Sequence, residues 1–199
     1  MQVRSFPLFP VLMSCGTNDK FEEVKDSLLS EVEKVRKEDD GVEITNVGGW
    51  QSKDNIGKIT PQIVKYIKDC INESFSESRS PNFDLKYYIV NMWINVNGPG
   101  DSNSLHNHPG SDFSGIFWLK APENSGKVYF NNPHDFPQNA DIQTVREEYK
   151  DALNIHPSYF CTPEEGSFLV FPSSLMHKVD QNKSKENRIS VACNIRIMS

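Results

Sequence analysis

Long apolar runs, paired cysteines and a basic stripe are all missing from this chain, and each absence narrows what it does. No stretch is long and apolar enough to read as a membrane span, and the opening MQVRSFPLFP has no secretory apolar core. The four cysteines, Cys15, Cys70, Cys161 and Cys193, lie far apart with no CxxC pair. That pattern argues for a reducing, cytoplasmic setting, with burial as the expected role of the thiols. Lysine and arginine total 21 against 27 aspartate and glutamate, for a net charge of -6. The basic residues are scattered, so nucleic-acid binding through phosphate neutralisation is not expected. Sequons of the N-x-S type at Asn72 and Asn182 carry no weight without a signal peptide.

What is present suits one compact domain: 199 residues, 37% hydrophobic, with no linker-like stretch. The expected division is a helical N-terminal part over residues 1–80 and a strand-rich core over 81–199. Phe21, Val24, Leu28, Val32 and Val35 recur at helical spacing between Asn18 and about Arg36, with Asp19 as the cap and Glu22 three residues on. Thr60-Pro61 opens a second helix with Ile63, Val64, Ile67, Ile71 and Phe75 on its inner side. Val47-Gly48-Gly49-Trp50 between them reads as a glycine-hinged loop. After Pro81 come short β-branched and aromatic runs: Leu85 to Val96, Ser114 to Ala121, Lys127 to Asn131, Ser158 to Thr162, Ser167 to Phe171 and Ile189 to Ile197. One further helix is expected from about Ile142 to Leu153. The predicted architecture is mainly β, a jelly roll with two helices packed outside.

Chemistry concentrates in the C-terminal half. His106 and His108 stand at i and i+2, so on a strand edge both rings leave the same face. His177 follows about seventy residues on, after Phe171-Pro172-Ser173-Ser174-Leu175-Met176, a strand expected to carry it across the barrel mouth from the first pair. Three neutral imidazoles leave open positions on Fe(II) for a bidentate cosubstrate and for dioxygen. The usual facial triad has a carboxylate where His108 stands, and Asp112 is the alternative second ligand. His134 and His156 have no matching partner and read as surface or structural residues.

Arg188 begins the run Ile189 to Ile195, and alternation puts Arg188, Ser190, Ala192 and Asn194 on one face. A planar fork with a serine hydroxyl beside it suits the carboxylate of an anionic cosubstrate, the alternative being a structural salt bridge. Asn95 and Asn97 alternate inward on the facing strand and can offer amide hydrogen bonds to the same molecule. Trp93, Trp118 and Tyr129 are candidates for the substrate side, or for core, and the loop from Asn131 to Asn139 for a lid.

Taken together, Gly48-Gly49-Trp50-Gln51-Ser52, Trp93 through His106-Asn107-His108-Pro109 to Ser114-Gly115, Gly166 through Phe171-Pro172-Ser173 with His177, and Asn187-Arg188-Ile189-Ser190-Val191 resemble the phage and bacterial family of 2-oxoglutarate-Fe(II) oxygenases, distantly related to prolyl hydroxylases. The Phe6-Pro7-Leu8-Phe9-Pro10 opening belongs to the likeness, which covers most of the chain. It implies a double-stranded β-helix, iron at His106, His108 and His177, 2-oxoglutarate on Arg188 and Ser190, and hydroxylation as the default outcome. Trp93 to His108 also resembles the Asn-x-Tyr-x-Pro-Gly lead-in of nucleic-acid demethylases of the same superfamily, with Asn95 and Asn97 at the cosubstrate places and Asn97 standing for the tyrosine.

The expected partners are dioxygen and a small-molecule or peptidyl substrate, with a homodimer left open, in a bacterial or phage-infected host cytosol. Two other classes remain: a three-histidine cupin-like dioxygenase that uses no 2-oxoglutarate, and a non-enzymatic jelly-roll module with a structural zinc.

Overall fold

The computed structural model describes residues 10–77, 85–134, 140–153 and 155–198. Helix α1 (Phe21–Glu38) buries Phe21, Leu28, Val32 and Val35, the stripe that its sequence period marks. Asp19 is not its cap. Lys20 stands at the N-cap without a side-chain cap bond; instead Asn18 Oδ1 accepts the Lys20 N–H at 3.0 Å. Helix α2 (Pro61–Glu77) starts at the proline, as expected. Its first turn is capped from α1: the two oxygens of Glu31 accept the N–H groups of Gln62 and Ile63 at 3.0 and 2.9 Å, satisfying donors that no helix can pair internally.

Among the described residues the strands are, in chain order, β1 (Ser14–Thr17), β2 (Asn46–Val47), β3 (Trp50–Gln51), β4 (Tyr87–Asn97), β5 (Ser102–His106), β6 (Phe113–Lys120), β7 (Val128–Asn131), β8 (Ser158–Cys161), β9 (Ser167–Pro172), β10 (His177–Val179) and β11 (Arg188–Ile197). They form a six-stranded sheet in the order β1-β9-β6-β11-β4-β3 and a five-stranded sheet in the order β2-β5-β10-β7-β8. All pairings between named strands are antiparallel, and the two sheets make the expected jelly roll. The segment before residue 80 is not helical alone, because β1, β2 and β3 extend both sheets. The expected helix from Ile142 to Leu153 is two short ones, α3 (Ala140–Gln143) and α4 (Glu147–Leu153). Of the proposed lid, residues 135–139 lie outside the described residues.

Alternation along the long strands sorts their side chains into two cores. Met92, Ile94 and Val96 of β4 and Ile189, Val191, Cys193 and Ile195 of β11 face the helices, where they pack with Leu28, Ile63, Ile67 and Ile71. Between the sheets lies a smaller cluster around Trp118, Val128, Phe130, Leu169 and Phe171. On the inner faces of β4 and β11 the alternate residues are polar apart from Trp93 and Ala192, and there the sheets enclose a cavity of about 210 Å³.

Candidate metal and cosubstrate site

His106 ends β5 and His177 opens β10, two hydrogen-bonded neighbours in the smaller sheet, and the residues are direct cross-strand partners. His177 therefore meets His106 from the next strand and does not cross the barrel mouth. The reason is local: β9 stops at Pro172, a turn with Leu175 N–H donating to Pro172 O at 3.0 Å reverses the chain, and His177 enters the opposite sheet. His108, two residues past His106, is pinned by its backbone N–H on Ser173 O at 2.9 Å.

The three rings lie with centroids 4.3 to 5.2 Å apart. One nitrogen from each falls within 4.8 Å of the others, so a single ion can meet all three. His106 Nδ1 sits 2.7 Å from Ser104 O and His177 Nδ1 sits 2.9 Å from Leu175 O. A carbonyl only accepts, so each Nδ1 carries the proton and each Nε2 keeps a lone pair, the tautomer that a metal needs. Burial lowers the pKa of all three imidazoles, to about 4 for His108 and about 3 for His177, which keeps them neutral. Phe171 and Phe130 wall off His177, with ring centroids at 4.9 and 5.7 Å.

Asp112 is not part of this cluster. Its Oδ2 accepts the Ile197 N–H at 2.8 Å at the end of β11. His156 bonds Asp151 at 2.9 Å through Nε2 and lies with His134 in a separate groove. Tyr129 also lies away from the cavity, against Phe160, whereas Trp93 and Trp118 line it, Trp93 with its ring centroid 5.5 Å from that of His108.

Arg188, Ser190, Ala192 and Asn194 line the cavity as alternation requires, opposite Asn97, Asn95, Trp93 and Asn91 on β4. Asn95 lines it too; Asn97, cross-strand from Arg188, is 2% exposed and outside the lining. Arg188 is 1% exposed. Its Nη1 donates to the carbonyls of Ser125 and Asp180, while Nη2 is buried without a partner. No carboxylate lies within ion-pair distance among the described residues, so the salt-bridge alternative has no acid to supply it. Burial pulls the guanidinium down to about 10, against an upward push from Asp101, and it stays cationic at neutral pH. Asp180 is three residues beyond His177, about 10 Å along the chain. The same cavity thus offers a metal-ligating corner and, farther in, an unpaired cation.

Two residues that build this arginine site do not stand out in the sequence. Gly126 has φ +95°, and a Cβ there would come 2.2 Å from Asp180 O and 2.9 Å from Arg188 Nη1. Asn182, 1% exposed, donates to the carbonyls of Asn97 and Glu186 at 2.9 and 2.8 Å, locking the turn before β5 to the loop before β11. In the sequence they show as no more than a glycine between polar loop residues and an N-x-S sequon.

A jelly roll whose cavity pairs three convergent imidazoles with a buried, unpaired arginine has the parts of an Fe(II)- and 2-oxoglutarate-dependent oxygenase. A family model described as "Putative 2OG-Fe(II) oxygenase" matches residues 91–194, more than half of the 199 residues, and the chain belongs to that family. No curated protein matches the chain. Among solved structures, a Trichoplax adhaerens prolyl hydroxylase in complex with a hypoxia-inducible-factor peptide fragment aligns with TM-score 0.61 and 12% identity over 94% of this chain and 83% of that one. A viral collagen prolyl hydroxylase from Paramecium Bursaria Chlorella virus-1, complexed with 2-oxoglutarate, aligns with TM-score 0.54 and 17% identity over 92% and 96%. HygX from Streptomyces hygroscopicus, with nickel and 2-oxoglutarate bound, gives TM-score 0.64 and 10% identity over 94% and 83%. At these identities the likeness establishes the shared fold.

Proposed function

We propose that this oxygenase hydroxylates a peptidyl or small-molecule substrate, with Fe(II) held by His106, His108 and His177 and the far carboxylate of 2-oxoglutarate held by Arg188 and Ser190. The observation that carries the residue assignment is the orphaned Arg188 Nη2 in the same cavity as the histidine cluster. A buried guanidinium costs several kcal/mol unless an anion meets it, and a carboxylate fits its fork. When bound, the iron and its keto-acid cosubstrate supply the oxidising power for breaking an unreactive C–H bond.

The chain's own residues do the rest. The carbonyls of Ser104 and Leu175 fix the tautomers of His106 and His177. The carbonyls of Ser125 and Asp180 hold one arm of Arg188 so that the other faces the cosubstrate. Asn95, cross-strand from Ser190, is placed to hydrogen-bond the same molecule; Asn97 supports Arg188 from behind the lining through the Asn182 lock. Phe130, Val128, Trp118 and Phe171 exclude water from one side of the histidines.

The histidine cluster holds no carboxylate among the described residues, which favours a second reading, the three-histidine dioxygenase that binds its substrate directly on iron. The two are separated by His177→Ala and Arg188→Ala. Iron should be lost from the first, by metal analysis of the purified chain, and kept in the second, whose 2-oxoglutarate affinity should fall. An Arg188→Ala variant with unchanged 2-oxoglutarate binding would favour the second reading.

A further inference from the structure

At the opposite end of the cavity from Arg188, the pair Asp54 and Asn91 has no role in holding iron or 2-oxoglutarate. Both line the cavity, with Asp54 exposed at the mouth. Asn91 Nδ2 donates to Asp54 Oδ2 at 3.1 Å. A carboxylate only accepts, so this bond fixes which way the amide faces. Its other atom, Asn91 Oδ1, is buried with no partner. The pair is rigidly mounted: Met92 N–H donates to Asp54 O at 2.9 Å, and Asn55 bridges to Met92 beside it. Among the described residues no lysine, arginine or histidine pairs with Asp54, and neighbouring Lys53 turns to Asp39 instead.

An unpaired buried acceptor costs about 1–3 kcal/mol, and 2-oxoglutarate cannot relieve it. That molecule is an acceptor throughout, two carboxylates and a ketone. It would also be anchored at Arg188, whose cross-strand partner Asn97 is six residues from Asn91, about 20 Å along β4. The other molecule that enters this cavity is the one that is oxidised, and it can bring the donor. A carboxylate and a fixed amide oxygen side by side present two acceptors and one negative charge, which a neutral N–H matches only in part. An ammonium or guanidinium supplies several donors with the complementary charge.

We propose that Asp54 and Asn91 recognise a cationic nitrogen, ammonium or guanidinium, on the substrate that is oxidised. The assignment rests on the oxygenase reading above and adds the class of substrate. The test uses the full chain, loaded anaerobically with Fe(II) and 2-oxoglutarate and titrated calorimetrically with acetyl-lysine methylamide, acetyl-arginine methylamide, agmatine and cadaverine, with acetyl-norleucine methylamide as the neutral control. At least one basic probe should bind about tenfold more tightly than the control. D54N should remove that preference while the visible band of the iron–keto-acid complex and the melting temperature stay as in the wild type. Tighter binding of the methylamides identifies a peptidyl cation, tighter binding of the free amines a small metabolite, and either supports the assignment. Equal binding of basic and neutral probes, no binding at all, or a preference that survives in D54N would overturn it. A wild-type chain that lacks the band would instead remove the oxygenase reading on which it rests.

Discussion

A guanidinium as buried as that of Arg188, with one arm spent on two carbonyls and the other on nothing, costs several kcal/mol that an anion would offset. Arg188→Ala is expected to weaken 2-oxoglutarate by about a hundredfold or more, the scale for truncating one partner of a buried charge pair, with iron retained. Gly126→Ala should do similar damage from a distance, because its Cβ would collide with Asp180 O and Arg188 Nη1 at a backbone φ of +95°. Equilibrium dialysis of the cosubstrate checks both, and a Gly126→Ala chain with unaltered affinity would contradict the role given to the 125–126 turn. Asp112→Asn should leave iron binding unchanged, since that carboxylate serves the Ile197 N–H; loss of iron there would reverse the preference for His108. His106, His108, His177 and Arg188 were legible as letters because their chemistry is carried by residue type and spacing. Gly126 and Asn182 were not, because what they do depends on carbonyls more than fifty residues away in one direction or the other.

Among the elements, the two helices were readable because their apolar period fits one buried face, and α2 begins at the very proline that marks it. The cap of α2 was not readable, since Glu31 reaches it from another helix. Glu31→Ala is expected to cost about 1 kcal/mol of stability, as for other lost caps, seen as a lower midpoint in urea with an unchanged slope. Ile67→Ala, at a fully buried position in the helix-covered core, should cost about 2–5 kcal/mol. The long strands announced themselves by alternation. β2 and β3 are two residues each, and β5 is built from Ser102-Asn103-Ser104, residues with little strand preference, so pairing with neighbours makes them strands where local sequence does not. The same shortness hid β10, and with it the fact that His177 and His106 are cross-strand partners.

At the scale of the whole molecule, one geometric rule divides labour. Each long strand gives every second residue to the helix-covered core and the others to the space between the sheets. Where those others are Asn, Ser and Arg, the space stays open as the cavity. The cost shows in the pH dependence of the metal-free fold. Burial holds His108 and His177 neutral down to about pH 4 and 3, whereas in the unfolded chain they protonate near 6.5. The unfolded state therefore binds more protons in that window, and the stability these two groups contribute, present above about 6.5, is lost as the pH falls towards 3. Thermal melts of metal-free protein should show a lower midpoint at pH 5 than at pH 7; an equal or higher one would contradict the buried, neutral cluster. The most direct measurement is an anaerobic titration of metal-free protein with Fe(II) and then 2-oxoglutarate, followed in the visible. The weak charge-transfer band of a bidentate keto-acid chelate should appear only after both are added, and should be absent from His177→Ala. Iron that binds without ever giving that band, or no iron binding at all, would contradict the assignment of the site.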